Sequence, residues 1–476
     1  MNLRLVCPGL ACLLLSACMV GPDYHQPPLA LPDGFKEGAQ WQRAAADPQG
    51  ALDSRWWLAF GDAQLNALVE QAGQANQSIA AAEAAYRQAQ AQVAISRAGL
   101  WPTVGIGLSG SRGSGGGSST QSTTSIASGV QQTVSATLGA SWEPDLWGQV
   151  RRGIESSEAL AQVSDAQLAG MRLSIAASVA SNYLGLRQLD LDIGLLEQQQ
   201  RLNQQLLDMT QASFQQGTAS NDQLLVAQDQ LSTVVAALQT AQRNREQFEH
   251  ALAVLVGQAP ARFSVAPRSD YAFAVLRPPL SLPSSLLQRR PDVIAAERTA
   301  AAANARIGVA EAAFFPTLDL SAEVGFRGSA LGGLFSLPNR IWSLGPSLAA
   351  TLFDGGAREA GLRQAYAGYD QDVASYRGTV LAALQNVEDN LSALNHLQRQ
   401  AETYQQIHQR NQQLFGSQEA QQRAGVVSRQ AVVTQQLLLL QSEQNLRDAQ
   451  GQLSQASVAL IQSLGGGWAG TQVARP

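Results

Sequence analysis

Two long stretches of the chain carry apolar residues at steps of three and four. Val380, Leu384, Val387, Leu391 and Leu394 step by 4, 3, 4 and 3, and Ile175, Val179, Leu186, Leu189, Ile193 and Leu196 follow the same rule. This spacing lays one apolar seam along an α-helix and suits coiled-coil packing. The first stretch predicts a helix from about Gln149 to Gln216, a turn at Gly217 and a return helix to about Val256. The second predicts a helix from about Ala357 to Ala424, a turn at Gly425 and a return to about Leu464. A helix of roughly 67 residues is about 100 Å long, far beyond the three or four turns of a globular helix. The two stretches superpose at a constant offset of 208 residues. Val179, Asn182, Leu186 and Leu189 match Val387, Asn390, Leu394 and Leu397. Gly217 and Ser220 match Gly425 and Ser428, and Gln228 and Leu231 match Gln436 and Leu439. The chain is therefore internally duplicated.

A period of two precedes each long helix. Val104, Ile106 and Leu108 alternate with Thr103, Gly105, Gly107 and Ser109. After a Gly/Ser/Thr-rich loop from Ser111 to Gly129, Val134, Ala136, Leu138, Ala140 and Trp142 alternate with small polar residues. Leu318, Leu320, Ala322, Val324 and Phe326 form a third run, and Leu344, Pro346, Leu348, Ala350 and Leu352 a fourth. These predict two β-hairpins. Asp145 is placed to cap the first long helix, and Asp354 likewise opens the second. A helix over Gln64–Gly99 leads into the first hairpin and ends at Trp101-Pro102; a helix from Pro291 to about Ala313 leads into the second and ends at Phe315-Pro316. Strands that are apolar on one face and Gly, Ser or Thr on the other fit lipid-out, lumen-in alternation, and also a half-buried soluble sheet. They are long enough to cross a bilayer, which takes about 9–11 residues. Four strands cannot close a barrel, and lipid does not tolerate open sheet edges. If the strands enter a membrane, the chain must oligomerise.

Composition narrows the class. The net charge is −5 and only 14 % of residues are charged, with no basic patch, so nucleic acid is not an expected partner. No run of 18 apolar residues follows the N-terminus, which leaves strands or a lipid anchor as routes to a membrane. All three cysteines, Cys7, Cys12 and Cys18, lie in the first 18 residues. Arg4 and the apolar run Leu5 to Leu15 read as a signal peptide covering residues 1–17. Its end, Leu15-Ser16-Ala17-Cys18, looks like a bacterial lipobox, which makes Cys18 the lipidated first residue of the mature chain. Met19, rather than an Asp, follows it and favours the outer membrane. One lipid attachment is only part of a stable anchor. The expected organisation continues with residues 18–63 as a lipidated segment and equatorial belt. Residues 64–256 are the first repeat, with its hairpin at 101–147; 257–290 are an equatorial connection; 291–464 are the second repeat, with its hairpin at 316–353; 465–476 are a tail. The fold class is mainly α with a small β part.

The motifs resemble a known family. Cys18-Met19-Val20-Gly21-Pro22-Asp23-Tyr24, Trp57 with Phe60-Gly61-Asp62, Arg289-Arg290-Pro291-Asp292, Ala296-Glu297, Ala303-Asn304-Ala305-Arg306-Ile307-Gly308 and Phe315-Pro316 carry it. With the duplication, the chain resembles the TolC-like outer membrane factors, most closely the lipoprotein branch that serves RND multidrug efflux pumps. The resemblance covers the whole chain. It implies a homotrimer in which four strands per chain complete one transmembrane β-barrel and the long helices form a periplasmic α-barrel. It implies a passive exit duct for drugs or other small toxic compounds, served by a periplasmic adaptor and an inner-membrane pump of the RND type. It implies no cofactor besides the covalent lipid on Cys18.

In similar proteins the duct closes near the helix turns, with Asp residues about six and nine positions after the turn glycine. Here those positions hold Ala431 and Thr434 in the second round, and Gln223 is the first-round counterpart of Ala431. The sequence departs from the acidic pattern. Asp222 lies one residue away, which rotates a helix by about 100°. Val427 stands where relatives can carry an arginine, and Arg423 and Arg429 flank that turn. These are the gate candidates, against a bland reading as solvated helix ends. Gln216, Gly217 and Thr218, extending to Ser220, and Ala424, Gly425, Val426 and Val427, extending to Ser428, are the adaptor-contact candidates.

Catalytic chemistry is missing from the sequence. His25, His250, His396 and His408 have no metal-ligand spacing, and there is no nucleophile motif or phosphate loop. The expectation is no enzyme and no metal. Two other readings stand beside the efflux duct: the duct of an ABC-linked protein or peptide secretion system, and a coiled-coil surface stalk or adhesin.

Overall fold

The computed structural model describes residues 19–38, 55–114, 130–276 and 289–466. In order, the principal elements are α1 (Ala63–Ala75), α2 (Gln77–Ala98), β1 (Thr103–Ser114), β2 (Val130–Trp142), α3 (Gln149–Gln215), α4 (Asn221–Leu255), α5 (Pro291–Ala312), β3 (Thr317–Gly328), β4 (Arg340–Ala349), α6 (Ala357–Arg423) and α7 (Arg429–Ser463). The duplication is carried in the element ends. Both ends of α3 and α4 reappear 208 residues later in α6 and α7, and both ends of α2 and β1 reappear 214 residues later in α5 and β3. The offset changes within the hairpins, where the first connection is longer. The signal peptide, Cys18, parts of both irregular segments (39–54 and 277–288) and the tail from 467 lie outside the described residues.

The chain divides into two compact units. The first comprises Met1–Pro27, Tyr86–Val163 and Ala296–Ser375. It holds one antiparallel sheet in the order β1-β2-β3-β4. The register aligns the period-two pattern across all four strands: Ile106, Leu138, Val324 and Trp342 lie in one row, and Val104, Ala140, Ala322 and Leu344 in another. Even-numbered positions share the apolar face and odd-numbered positions the Gly/Ser/Thr face, which also carries Asp319, Glu323 and Arg327. Two expectations need correction. Ser111 to Ser114 are strand, not loop, because they pair with Val130 to Thr133. The fourth strand starts at Arg340 and stops at Ala349, so Ala350 and Leu352 fall outside it; the ladder with β3 begins at Phe326 and runs out at Thr317.

The base of the sheet is a tight joint. Trp147 stacks on Phe315 with centroids 4.7 Å apart, and its Nε1 donates to the Pro316 carbonyl at 2.7 Å. Asp145 accepts from the backbone N–H groups of Val150 and Arg151, and Asp354 from those of Gly356 and Arg358, so each caps its long helix. Residues 19–24 are strapped across this joint. Val20 N donates to the Trp147 carbonyl, and the buried Arg152 donates to the carbonyls of Val20 and Gly21 and to Asp23. Asn304 Nδ2 donates to the Pro22 carbonyl and Tyr24 Oη to Glu297. Gly21 adopts φ +96°, and a Cβ there would stand 2.4 Å from Gly308 Cα. The sequence motifs Val20 to Tyr24, Glu297 and Asn304 to Gly308 are thus two sides of one contact.

The second unit comprises Pro28–Ala85, Ser164–Ala295 and Tyr376–Pro476. Its largest core packs Trp56, Phe60, Leu65, Leu68 and Val69 with Val265 and Tyr271 against the α3 stretch from Ala176 to Leu191. Both irregular segments therefore meet on the same part of α3. Asp62 caps α1 by accepting from Gln64 N and Leu65 N, and accepts from Tyr183 Oη at 2.7 Å. Below this core, α3 presents two apolar rows. Leu189, Ile193 and Leu196 pack on Val234, Leu238 and Ala241 of α4, and Leu195, Leu202 and Leu206 pack on Val433 and Leu440 of α7. In the second round Val387, Leu391 and Leu394 of α6 pack on Leu453, Leu460 and Leu464. The helix expected over Gln64–Gly99 is broken at Asn76, which sits at φ −69°, ψ 127°. Its Oδ1 accepts from Ser78 N and Ile79 N, and its Nδ2 donates to the Leu255 carbonyl. One side chain thus caps the next helix and satisfies the end of α4.

Candidate functional site

The predicted gate and contact residues gather at two helix turns with one backbone design. Gly217 and Gly425 take φ +70° and +75°, the left-handed geometry that favours glycine after a helix. Thr218 N donates to the Ser213 carbonyl and Val426 N to the Gln421 carbonyl, both at 2.9 Å, closing the preceding helices. Ser220 then caps α4 and Ser428 caps α7 through their hydroxyl oxygens. The two turns differ at the third helical position. Gln223 returns its amide oxygen to Ser220 N at 2.9 Å and completes a capping box; Ala431 has nothing to return.

The remaining candidates are placed as follows. Asp222 is exposed in the first turn of α4, where a carboxylate faces the positive helix end. Arg423 ends α6 and Arg429 starts α7; both are exposed and neither makes an ion pair among the described residues. Thr434 donates its hydroxyl to the Gln430 carbonyl. Ala431 is half-buried beside Val432 and Val433, and Val433 packs on α3. Gln216, Thr218 and Ala424 are exposed, Val427 is half-buried, and Val426 is 72 % exposed. The sequence reading missed the apolar side chains around the first turn: Phe214, Leu225 and Val226 are 40–54 % exposed. Val226 is the first-round counterpart of Thr434, and the alignment of the repeats could have exposed it. The tips thus combine a few exposed charges, Asp222, Arg423 and Arg429, with exposed apolar side chains.

A second group was also missed. Asp192 of α3 and Asp448 of α7 are bridged by Gln188, whose Nε2 donates to Asp448 Oδ1 at 2.6 Å and to Asp192 at 3.3 Å. Burial and the neighbouring Asp448 charge push the Asp192 carboxyl up to about 7, and burial also raises Asp448. Residues 256 positions apart leave no local signal, and Thr240, the repeat counterpart of Asp448, is not acidic. Nothing in either group forms a nucleophile–base pair. Among the described residues no group of three or more His, Cys, Asp or Glu could hold a metal ion.

The sequence profile of the outer membrane efflux protein family matches residues 68–258 and 282–466. The pyoverdine export outer membrane protein OpmQ of Pseudomonas putida is 32% identical over 471 residues, covering 97% of this chain and 98% of that protein. The toluene efflux pump outer membrane protein TtgC of Pseudomonas putida is 30% identical over 472 residues, covering 98% of this chain and 96% of that protein. The solved structure of the outer-membrane channel OprN superposes with a TM-score of 0.84 at 30% identity, covering 95% of this chain and all of that one. These are channels, not enzymes. The tight strap, the capped tips, the four-stranded sheet and the duplicated long helices occur here in a chain that belongs to the outer membrane efflux protein family.

Proposed function

We propose that this chain is the exit duct of a tripartite efflux system, carrying small toxic compounds passively from an RND-type inner-membrane pump and its periplasmic adaptor across the outer membrane. The open sheet carries the reading. β1 and β4 are unpaired edges, and the even face is exposed and apolar, with Ile106 79 % and Leu344 77 % accessible. Such a sheet in lipid needs its edges closed. Because β1 and β4 run antiparallel, copies joined β4 to β1 keep the alternation and put every even face outward. Three copies supply twelve strands, within the range of bacterial barrels. The odd face then lines a polar lumen.

In this reading Cys18 carries the lipid, and Arg152 fixes Val20 and Gly21, just after it, at the base of the sheet. Residues 18–63 are the lipidated segment and equatorial belt, 257–290 the equatorial connection, and 64–256 and 291–464 the two repeats. Asp222, Gln223, Arg423, Arg429, Ala431 and Thr434 belong to the gate. Gln216 to Thr218 and Ala424 to Val427 meet the adaptor. A relative named for pyoverdine export and another for toluene efflux favour export of small molecules over protein secretion. The decisive experiment is in-cell photo-crosslinking from Val427. Capture of an RND-type adaptor is the expected result. Capture of an ABC-linked adaptor moves the reading to secretion, and no adaptor from protein confirmed in the outer membrane refutes the tripartite duct.

A further inference from the structure

The apolar face of the sheet carries two charges, and both are arginines at the same end. From Leu318 to Phe326 on β3, from Val134 to Trp142 on β2 and from Trp342 to Leu348 on β4, the even positions hold no ionisable side chain. At the outer limit of this band, β1 carries Arg112 two residues before its end and β4 begins with Arg340, level with Phe326, at the end of the sheet away from the helices. Both are exposed, and neither has an ion-pair partner among the described residues. No carboxylate shares the face. The band spans about 27 Å along β3 at ~3.4 Å per residue. That suits the hydrocarbon region, with the guanidinium groups where an arginine on the lipid face costs little.

Neighbouring features point the same way. The β3–β4 connection places Phe335 against Phe326 of the apolar face, with ring centroids 5.3 Å apart. Leu331, Phe335 and Leu337 remain more than 70 % exposed beside Arg340. An exposed apolar loop next to an unpaired guanidinium is a surface for an amphiphile with an anionic head. In one chain Arg112 and Arg340 lie on opposite edges of the sheet. Closing β4 of one copy onto β1 of the next, as the barrel reading requires, puts them on neighbouring strands.

We infer that Arg112 of one copy and Arg340 of its neighbour form, at each seam, a binding site for the phosphate groups of an outer-leaflet glycolipid, whose acyl chains lie on the even face and the Leu331–Leu337 loop. Arginine matches phosphate through parallel N–H···O hydrogen bonds, which a lysine or a neutral donor does not reproduce. The inference rests on the closed-barrel reading. Its test keeps the two apart.

Full-length protein is extracted in mild detergent, delipidated, and first examined as an SDS-resistant oligomer. Native mass spectrometry then follows the binding of bisphosphorylated lipid A, its dephosphorylated form and inorganic phosphate. Wild type binds lipid A up to one molecule per seam. Arg112→Gln or Arg340→Gln lowers affinity roughly tenfold, the value of one charge-assisted contact. The double variant binds lipid A no better than wild type binds the dephosphorylated lipid. Arg327→Gln, at the same end but on the other face, binds like wild type. Equal retention of lipid A by the double variant and wild type overturns the inference, as does equal binding of the two lipids or of inorganic phosphate alone. If wild type forms no closed oligomer, the barrel reading fails and the inference falls with it.

Discussion

At the scale of single residues, the buried carboxyl of Asp192 makes the sharpest claim. Its pKa is raised on folding from 3.8 to about 7, by burial and by the charge of Asp448. Between those values the folded protein holds a proton that the unfolded chain has lost, so stability falls as pH rises and the penalty is complete above about 7. Asp192→Asn removes the titration. Its stability, from thermal unfolding in detergent, is expected to exceed that of wild type by about 4 kcal/mol at pH 8.5 and to match it near pH 4. Equal pH slopes for the two proteins refute the assignment. None of this was legible in the sequence, because desolvation depends on which helices meet. Asp62, by contrast, stood out in the motif with Phe60-Gly61, although Tyr183 as its partner did not.

At the scale of elements, the turns were read almost residue for residue. Glycine after a long apolar repeat, followed three residues later by serine, leaves few conformations open, and Gly217 with Ser220 and Gly425 with Ser428 take the same one. The break at Asn76 was hidden because a single Asn inside an Ala- and Gln-rich run carries no strong signal. Only its bond to the Leu255 carbonyl, a tertiary contact, fixes the break. The capping box makes a local prediction. Ser220→Ala costs about 1 kcal/mol at the start of α4, which corresponds to roughly fivefold faster amide exchange in that first turn. Protection unchanged at Gln223 N–H, which now donates to Ser220 at 3.2 Å, contradicts it.

At the scale of the whole molecule, the question is how the sheet closes. Within one chain β1 and β4 are three strand spacings apart, about 14 Å. A disulfide needs Cα atoms within about 7 Å. Ser109→Cys combined in turn with Ile341→Cys, Ser343→Cys and Gly345→Cys therefore cannot bridge inside one chain. The native cysteines are confined to positions 7, 12 and 18. One of these pairs is expected to give a covalent trimer on a non-reducing gel. Monomer alone from every pair contradicts barrel closure. The need for closure was legible from four alternating runs. The register, which puts Trp342 beside Val324 and exposes the two arginines, was not, since it depends on where the β3–β4 connection turns.

The 208-residue repeat has a further consequence for stoichiometry. In the proposed trimer, a ring of three duplicated chains would present six tips of two kinds in alternation. Three carry Thr218-Ala219 behind a complete capping box, and three carry the apolar pair Val426-Val427 without one. A partner with six equivalent subunits would therefore bind in two unequal classes of three, filling one before the other.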